Sequence, residues 1–204
     1  MSATEPVVPA SAPRSRLRAL LSLVCVAILV YGADQLSKHW VVTTLPERVS
    51  EPVLGELLQF TFVRNPGAAF SLASGSTWIF SIAAAVVTVV ILVFARRIRA
   101  LSWALLFGML LGGVLGNLTD RLLREPGFGV GHVIDFIEVW GFPAIFNIAD
   151  IFIVSSMGLF VILTLRGVRL DGTRESAVRA DDVLAQESTV SDAAFDADRR
   201  RDRG

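Results

Sequence analysis

The chain has one cysteine, two histidines and one tyrosine among 204 residues. A single cysteine, Cys25, rules out an intramolecular disulfide, and no Cys/His cluster has zinc-ligand spacing. His39 and His132 stand far apart, each without a companion motif. A metal site is therefore not expected, nor is Ser/His or Cys/His nucleophilic chemistry. Net charge is missing too: nineteen Lys and Arg balance nineteen Asp and Glu, which argues against a nucleic-acid partner. No solenoid-type repeat occurs. Asn117-x-x-Asp120 and Asn147-x-x-Asp150 echo each other, over too few residues for a duplication.

What is abundant is apolar sequence. The chain is 53% hydrophobic with a mean hydropathy of +0.59, in the range of a membrane protein. The fold class expected is all-α with four transmembrane helices, at about 19–36, 77–95, 101–120 and 142–165. Ala19–Ala33 is broken only by Ser22 and, with its flanks, is long enough to span. It also looks like a signal peptide, but it exits into Asp34-Gln-Leu-Ser-Lys38 with no Ala-x-Ala site. Val24 before Cys25 makes that cysteine a poor lipid-attachment site; a buried small hydrophobe is expected. Residues 1–16 are a disordered lead-in, 17–168 the membrane domain and 169–204 a disordered polar tail.

Between the first two spans, residues 40–76 read as loop with strand character. Leu57–Arg64 is a strand by its aromatic and β-branched content, suited to receive an extended peptide by strand addition. His132–Glu138 is a second strand candidate. Gly108, Gly112 and Gly116 fall four apart on the third span, a small-residue stripe that admits a neighbouring helix closely. Asp120 continues the row and is expected to point at the same neighbour. Pro143 is placed near the first turn of the fourth helix. The arginines at 14–18, 96–99 and 166/169 all fall on one side of four spans, so both termini are expected to be cytoplasmic. Both polar loops then face outward.

Three carboxylates, Asp120, Asp135 and Asp150, lie in or beside apolar sequence and can gather near the outer face. Carboxylates in such a setting usually mark function. Two close together in a poorly solvated site share a proton, the arrangement by which an aspartic protease activates water and polarises a carbonyl. Asp150, about two turns down the fourth helix and flanked by Ala149 and Ile151, is the clearest candidate. Spacing leaves its partner open between Asp120 and Asp135. Asp120 sits beside Arg121, which favours a permanent charge. Asp135 lies between Ile134 and Phe136, where desolvation raises the pKa, so the chemistry favours Asp135. Asn117 and Asn147 share a helical face with Asp120 and Asp150 and are placed to orient a carboxylate or substrate backbone. Arg121 is placed to bind a substrate carbonyl. A proton-coupled transporter is the strongest rival, but no charged residue lies on the cytoplasmic half of the spans. An intramembrane protease of the presenilin type would want Gly-x-Gly-Asp, which is absent.

Five motifs in order carry a resemblance. Asp34-Gln35-x-Ser37-Lys38, Asn65-x-Gly67-Ala68-Ala69-Phe70-Ser71, Gly116-Asn117-x-x-Asp120-Arg121, Val133-Ile134-Asp135-Phe136 and Phe146-Asn147-x-Ala149-Asp150 together resemble lipoprotein signal peptidase, the signal peptidase II family. The likeness covers roughly residues 17–166. Ser37 stands where Thr is common, Pro66 follows Asn65, and Leu122–Gly131 with Pro126 and three glycines is long. The resemblance implies an aspartic endopeptidase of the bacterial inner membrane that cuts prolipoproteins before a diacylglyceryl-modified cysteine. It implies a catalytic pair at Asp135 and Asp150. Substrate-binding positions fall at Asn65, Gly116, Asn117, Arg121 and Asn147, and supporting positions at Asp34, Lys38, Gly67, Asp120 and Ala149. Asp120 is expected to hold Arg121 or its helix end. The resemblance further implies a small extracytoplasmic sheet as a cradle and inhibition by globomycin-type peptides. No metal or organic cofactor is expected, membrane lipids are partners, and the enzyme is read as a monomer.

Overall fold

The computed structural model describes residues 13–67 and 77–173. The lead-in to residue 12, most of the tail, and Ala68, Ala69, Phe70 and Ser71 lie outside the described residues. Among the described residues, four helices are long and apolar enough to cross a membrane: α1 (Pro13–Thr44), α2 (Thr77–Ala95), α3 (Leu101–Leu123) and α4 (Ile148–Leu165). Three strands complete the fold: β1 (Ser50–Leu54), β2 (Leu58–Asn65) and β3 (Val133–Val139). They form one antiparallel sheet in the order β1-β2-β3. The sheet thus joins the α1–α2 connection to the α3–α4 connection.

The first helix runs well beyond the expected end near residue 36. Its 32 residues reach about 48 Å, against roughly 30 Å of hydrocarbon. Asp34 and Lys38 look like an exit into water, yet both are 0% exposed and pair with each other one turn apart, Nζ to Oδ2 2.8 Å. Gly32 lies inside the helix without ending it, and no proline or glycine falls between Asp34 and Pro46, so nothing stops it there. Cys25, expected to be buried, is exposed; on a spanning helix that face meets lipid.

The third helix is the spine of the bundle, packed against α1, α2 and α4. A Cβ at Gly108 would come within 2.8 Å of the Leu23 carbonyl, and one at Gly112 within 2.7 Å of that of Ala27. At Gly116 it would collide with the Asp34 carboxylate. Gly113, a quarter-turn away, serves α4 in the same manner: a Cβ there would lie 2.7 Å from the Ala149 carbonyl. The stripe does bring a helix close, and it is α1. Between helices in lipid, such backbone approach replaces the missing hydrophobic drive with dispersion contacts.

The fourth helix begins at Ile148 and not near Phe142. Phe146 instead forms an antiparallel bridge with Ile137 of β3, donating its N–H to the Ile137 carbonyl at 3.1 Å and accepting in return at 2.8 Å. Asn147 is the N-cap. Pro143 therefore lies in a connection, and Asp150 sits in the first turn of α4 instead of two turns down.

Candidate active site

The sheet and the ends of α1, α3 and α4 nearest to it meet at one polar cluster. β3 carries Asp135 inward, 2% exposed, while β2 ends at Asn65 opposite Val133. Asp150 occupies the third position of α4, in a reciprocal capping box with Asn147: its N–H donates to Asn147 Oδ1 at 3.0 Å, and its Oδ2 accepts from the Asn147 N–H at 3.2 Å. A carboxylate there faces the unpaired N–H groups of a helix start, where negative charge is favoured. Ala149 N–H is satisfied from another helix, donating to Asp34 Oδ1 at 3.0 Å.

Three asparagine amides tie the two carboxylates together, and each is locked by a separate donor on its oxygen. Asn65 Oδ1 accepts from Gly67 N–H at 2.8 Å, which leaves Nδ2 to donate to Asp135 Oδ2 at 2.7 Å. Asn147 Oδ1 is held by the cap, so its Nδ2 donates to Asp135 Oδ1 at 2.6 Å. That same amide group reaches Asn117 Oδ1 at 3.2 Å. Asn117 Oδ1 also accepts from Lys38 Nζ at 2.8 Å, and its Nδ2 donates to Asp150 Oδ1 at 2.9 Å. An amide flip at any of the three would set donor against donor. Gly67 fits this turn because its φ is +104°, and a Cβ there would meet the Phe80 ring at 2.7 Å.

Beneath the pair lies a buried ionic layer. Lys38 Nζ is 2.8 Å from both Asp34 Oδ2 and Asp120 Oδ2. Asp120 Oδ1 takes Arg124 Nε at 2.6 Å, and its Oδ2 accepts from Ile134 N–H at 3.2 Å. Asp120 thus points at α1, as the stripe predicted. The expected partner is corrected, however: it holds Lys38 and Arg124 rather than Arg121. Arg124 went unnoticed in the sequence, although its i+4 position was a legible signal. Arg121 instead lies over the Phe80 ring, 5.0 Å from its centroid. Its charge is felt by Asp135, Asp120 and Asp150. Its Nη1 is buried and finds no hydrogen-bond partner among the described residues. Gly116 is buried between α1 and α3, its carbonyl accepting from Gln35 at 3.1 Å, so it shapes a helix contact.

The two carboxylates are therefore unequal. Burial pushes Asp135 up to about 6, opposed by the hydrogen bond from Asn65, reinforced by the charge of Asp150, and opposed again by Asn147. Desolvation disfavours its ionised form more than the amides favour it. Asp150, by contrast, is partly exposed.

Residues 26–166 match the family model described as "Signal peptidase (SPase) II". The chain is 56% identical over 174 residues to the lipoprotein signal peptidase of Leifsonia xyli subsp. xyli, covering 84% of this chain and 81% of that protein. The Streptomyces griseus protein of the same name is 46% identical over 156 residues, 76% and 79% of the two chains. A solved chain described as "Bacterial membrane enzyme structure by the in meso method at 1.9 A resolution" superposes with a TM-score of 0.64 at 30% identity. It covers 71% of this chain and 93% of that one. With the family model spanning more than half its length and close relatives over most of it, this chain belongs to the signal peptidase II family.

Proposed function

We propose that Asp135 and Asp150 are the catalytic dyad with which this aspartic peptidase removes signal peptides from prolipoproteins, cutting before a diacylglyceryl-modified cysteine. Curated relatives sharing up to 56% of residues carry the name lipoprotein signal peptidase, which supports the substrate. The observation that carries the dyad is the Asn147 side chain, which caps Asp150 through Oδ1 and donates to Asp135 through Nδ2. One amide thereby fixes both carboxylates relative to each other.

The chemistry follows from the inequality of the pair. Asp135, the desolvated member, holds the shared proton and donates it toward the scissile carbonyl oxygen. Asp150, at the helix start and open to solvent, accepts a proton from water as the water oxygen attacks the carbonyl carbon. The tetrahedral intermediate then collapses: the C–N bond breaks, the proton on Asp150 passes to the departing amine, and a hydroxyl proton of the intermediate returns to Asp135. Arg121 Nη1, buried without a partner, donates to a substrate backbone carbonyl. Asn65, at the end of the central strand β2, and the sheet beside it hold the peptide. Asn117 holds Asp150 in place, while Asp34, Lys38 and Asp120 hold Asn117. Gly116 and Ala149 allow those helices to touch.

The orientation belongs to the same reading. Arginines 96, 97, 99, 166 and 169 gather at the end of the bundle opposite the dyad, so that end is cytoplasmic. The dyad then lies at the outer face of the bacterial inner membrane, where a substrate anchored by two acyl chains diffuses. Both termini are cytoplasmic, and one copy suffices for the site.

The test is cleavage of a diacylglyceryl-modified prolipoprotein in detergent by wild type and by Asp120→Asn, Asp135→Asn and Asp150→Asn. Release of the signal peptide by wild type and by folded Asp120→Asn, but by neither dyad variant, is expected. Retained activity in Asp135→Asn would reassign the pair.

A further inference from the structure

At the opposite end of the bundle, the α2–α3 connection and the segment after α4 are stitched into one rim. Arg99 N–H and Ala100 N–H both donate to the Leu170 carbonyl, at 2.9 and 3.1 Å. The Trp103 indole N–H donates to the Val168 carbonyl at 3.0 Å. Val168 and Leu170 pack on the buried core that includes Ile98, Trp103 and Leu163. Beyond them, Gly172 N–H and Arg169 N–H close a turn through the Arg169 and Thr173 carbonyls, at 2.9 Å each. The arginines of this rim therefore project from fixed backbone.

They surround a cavity of about 490 Å³, bounded by Arg96, Arg97, Arg99, Arg169, Leu170 and Asp171. Four arginines and one carboxylate bound it, with Arg99 itself already engaged within the protein. The carboxylate is already engaged, since Asp171 Oδ1 accepts from the Thr173 N–H and hydroxyl at 2.9 and 2.7 Å. At about 30 Å³ per water, the cavity has room for roughly sixteen, more than a lone phosphate requires. Below it, Leu92, Val93, Leu165 and Phe94 are exposed on helices that meet lipid. The Arg97 guanidinium lies over the Phe94 ring at 5.5 Å, with its apolar stem along the hydrocarbon.

We infer that this cavity binds the anionic phosphodiester headgroup of a membrane phospholipid whose acyl chains lie on the exposed ends of α2 and α4. The occupant must carry negative charge directly above hydrocarbon. A net-anionic lipid does this; a zwitterionic lipid brings its own cation among the arginines, and a soluble anion leaves the apolar surface uncovered. Positive residues near a helix end suffice to orient a protein. They need no cavity, and no turn pinned by indole and amide hydrogen bonds. This binding is independent of the peptidase reaction, which lies at the other end of the bundle.

Native mass spectrometry of the full chain, titrated in detergent with phosphatidylglycerol or phosphatidylcholine, tests the inference. Wild type is expected to retain phosphatidylglycerol in preference to phosphatidylcholine. Arg99→Gln/Arg169→Gln should weaken it about 25-fold, near fivefold for each arginine lost at an anionic headgroup. Arg16→Gln/Arg18→Gln removes as many charges from the same end of the bundle, outside the cavity, and should change it less than twofold. Equal losses in the two double variants would mean a diffuse surface potential and overturn the site. So would equal retention of the two lipids by wild type, or displacement of the lipid by equimolar inorganic phosphate. The acidic stretch 181–198 is the other anion available. If replacing Asp181, Asp182, Asp192, Asp196 and Asp198 by Asn raises lipid affinity tenfold or more, the tail is the occupant and the lipid assignment fails.

Discussion

The two Asn-x-x-Asp segments have the same spacing and opposite architectures. In α3, Asn117 and Asp120 are both inside the helix and share Lys38 of α1, while the Asn117 amide also reaches Asp150 of α4. At α4, Asn147 lies outside the helix as its cap and Asp150 inside it, so the two residues turn back on each other. Identical spacing thus builds a bridge between helices in one case and a helix start in the other. The position of the helix boundary decides which carboxylate meets water. Asp120 is 0% exposed and bound by two cations, an ion-pair hub; Asp150 remains partly open at a helix N-terminus.

The largest expected effect sets the two aspartates apart. On the proposed assignment, Asp150→Asn removes the base that activates water, and kcat should fall by about 10⁴-fold, the upper range for losing a positioned general base. Asp135→Asn should fall comparably. Asp120→Asn should leave kcat of the folded protein within about tenfold and lose stability instead. Breaking a buried ion pair on one side costs about 3–5 kcal/mol, readable as a lower midpoint in denaturant. Collapse of kcat in folded Asp120→Asn would exchange the roles of the two segments.

Lys38→Met strikes the hub from its other side. It leaves Asp34 and Asp120 buried without their shared cation and should destabilise by about 3–5 kcal/mol as well. It also frees Asn117 to flip, so kcat of the surviving folded enzyme should drop while KM holds. A purely structural Lys38 would lower only the folded fraction.

The two asparagines sharpen the contrast at smaller magnitude. Asn147→Ala removes an N-cap and should cost about 1 kcal/mol of stability in addition to activity. Asn117→Ala removes no cap, so its thermal midpoint should fall less than that of Asn147→Ala. Equal shifts would mean that the cap contributes nothing.

Much of this arrangement is legible in the sequence, and what is not depends on contacts between elements. The spans, the glycine stripe, β2 and β3 follow from periodicity and composition, and the desolvated setting of Asp135 follows from its immediate neighbours; Asp120 is held by Lys38 and Arg124, not by the Arg121 beside it. Polar residues near an apolar run do not mark the end of α1. Asp34 and Lys38 neutralise each other inside α1, so charge did not mark an exit. Phe142–Phe146 is apolar enough for a helix, but Phe146 spends its backbone on Ile137 of β3, a partner nine residues away in sequence and invisible to local pattern. The capping box at Asn147 and Asp150 was in fact written in the sequence. Hydrophobic continuity across it obscured the signal. Arg121 resting on Phe80 depends on α2 meeting α3, which no local spacing encodes.

The smallest effect concerns the proton itself. Because burial raises Asp135 from 3.8 to about 6, its protonated form fits the fold better than its ionised form. The associated stability is complete below pH about 3.8 and is lost as pH rises through 6. Between pH 5 and 7 wild type should lose about 1 kcal/mol relative to Asp135→Asn, measurable as converging or crossing denaturation midpoints of the two proteins. The same proton should appear in kinetics. kcat/KM, which reports free enzyme, should fall on the alkaline side of about pH 6, whereas kcat should hold to higher pH. Bound lipopeptide covers the site and desolvates Asp135 further. A stability difference between the two proteins that does not change with pH would place the shared proton on Asp150, and with it reverse which carboxylate activates the water.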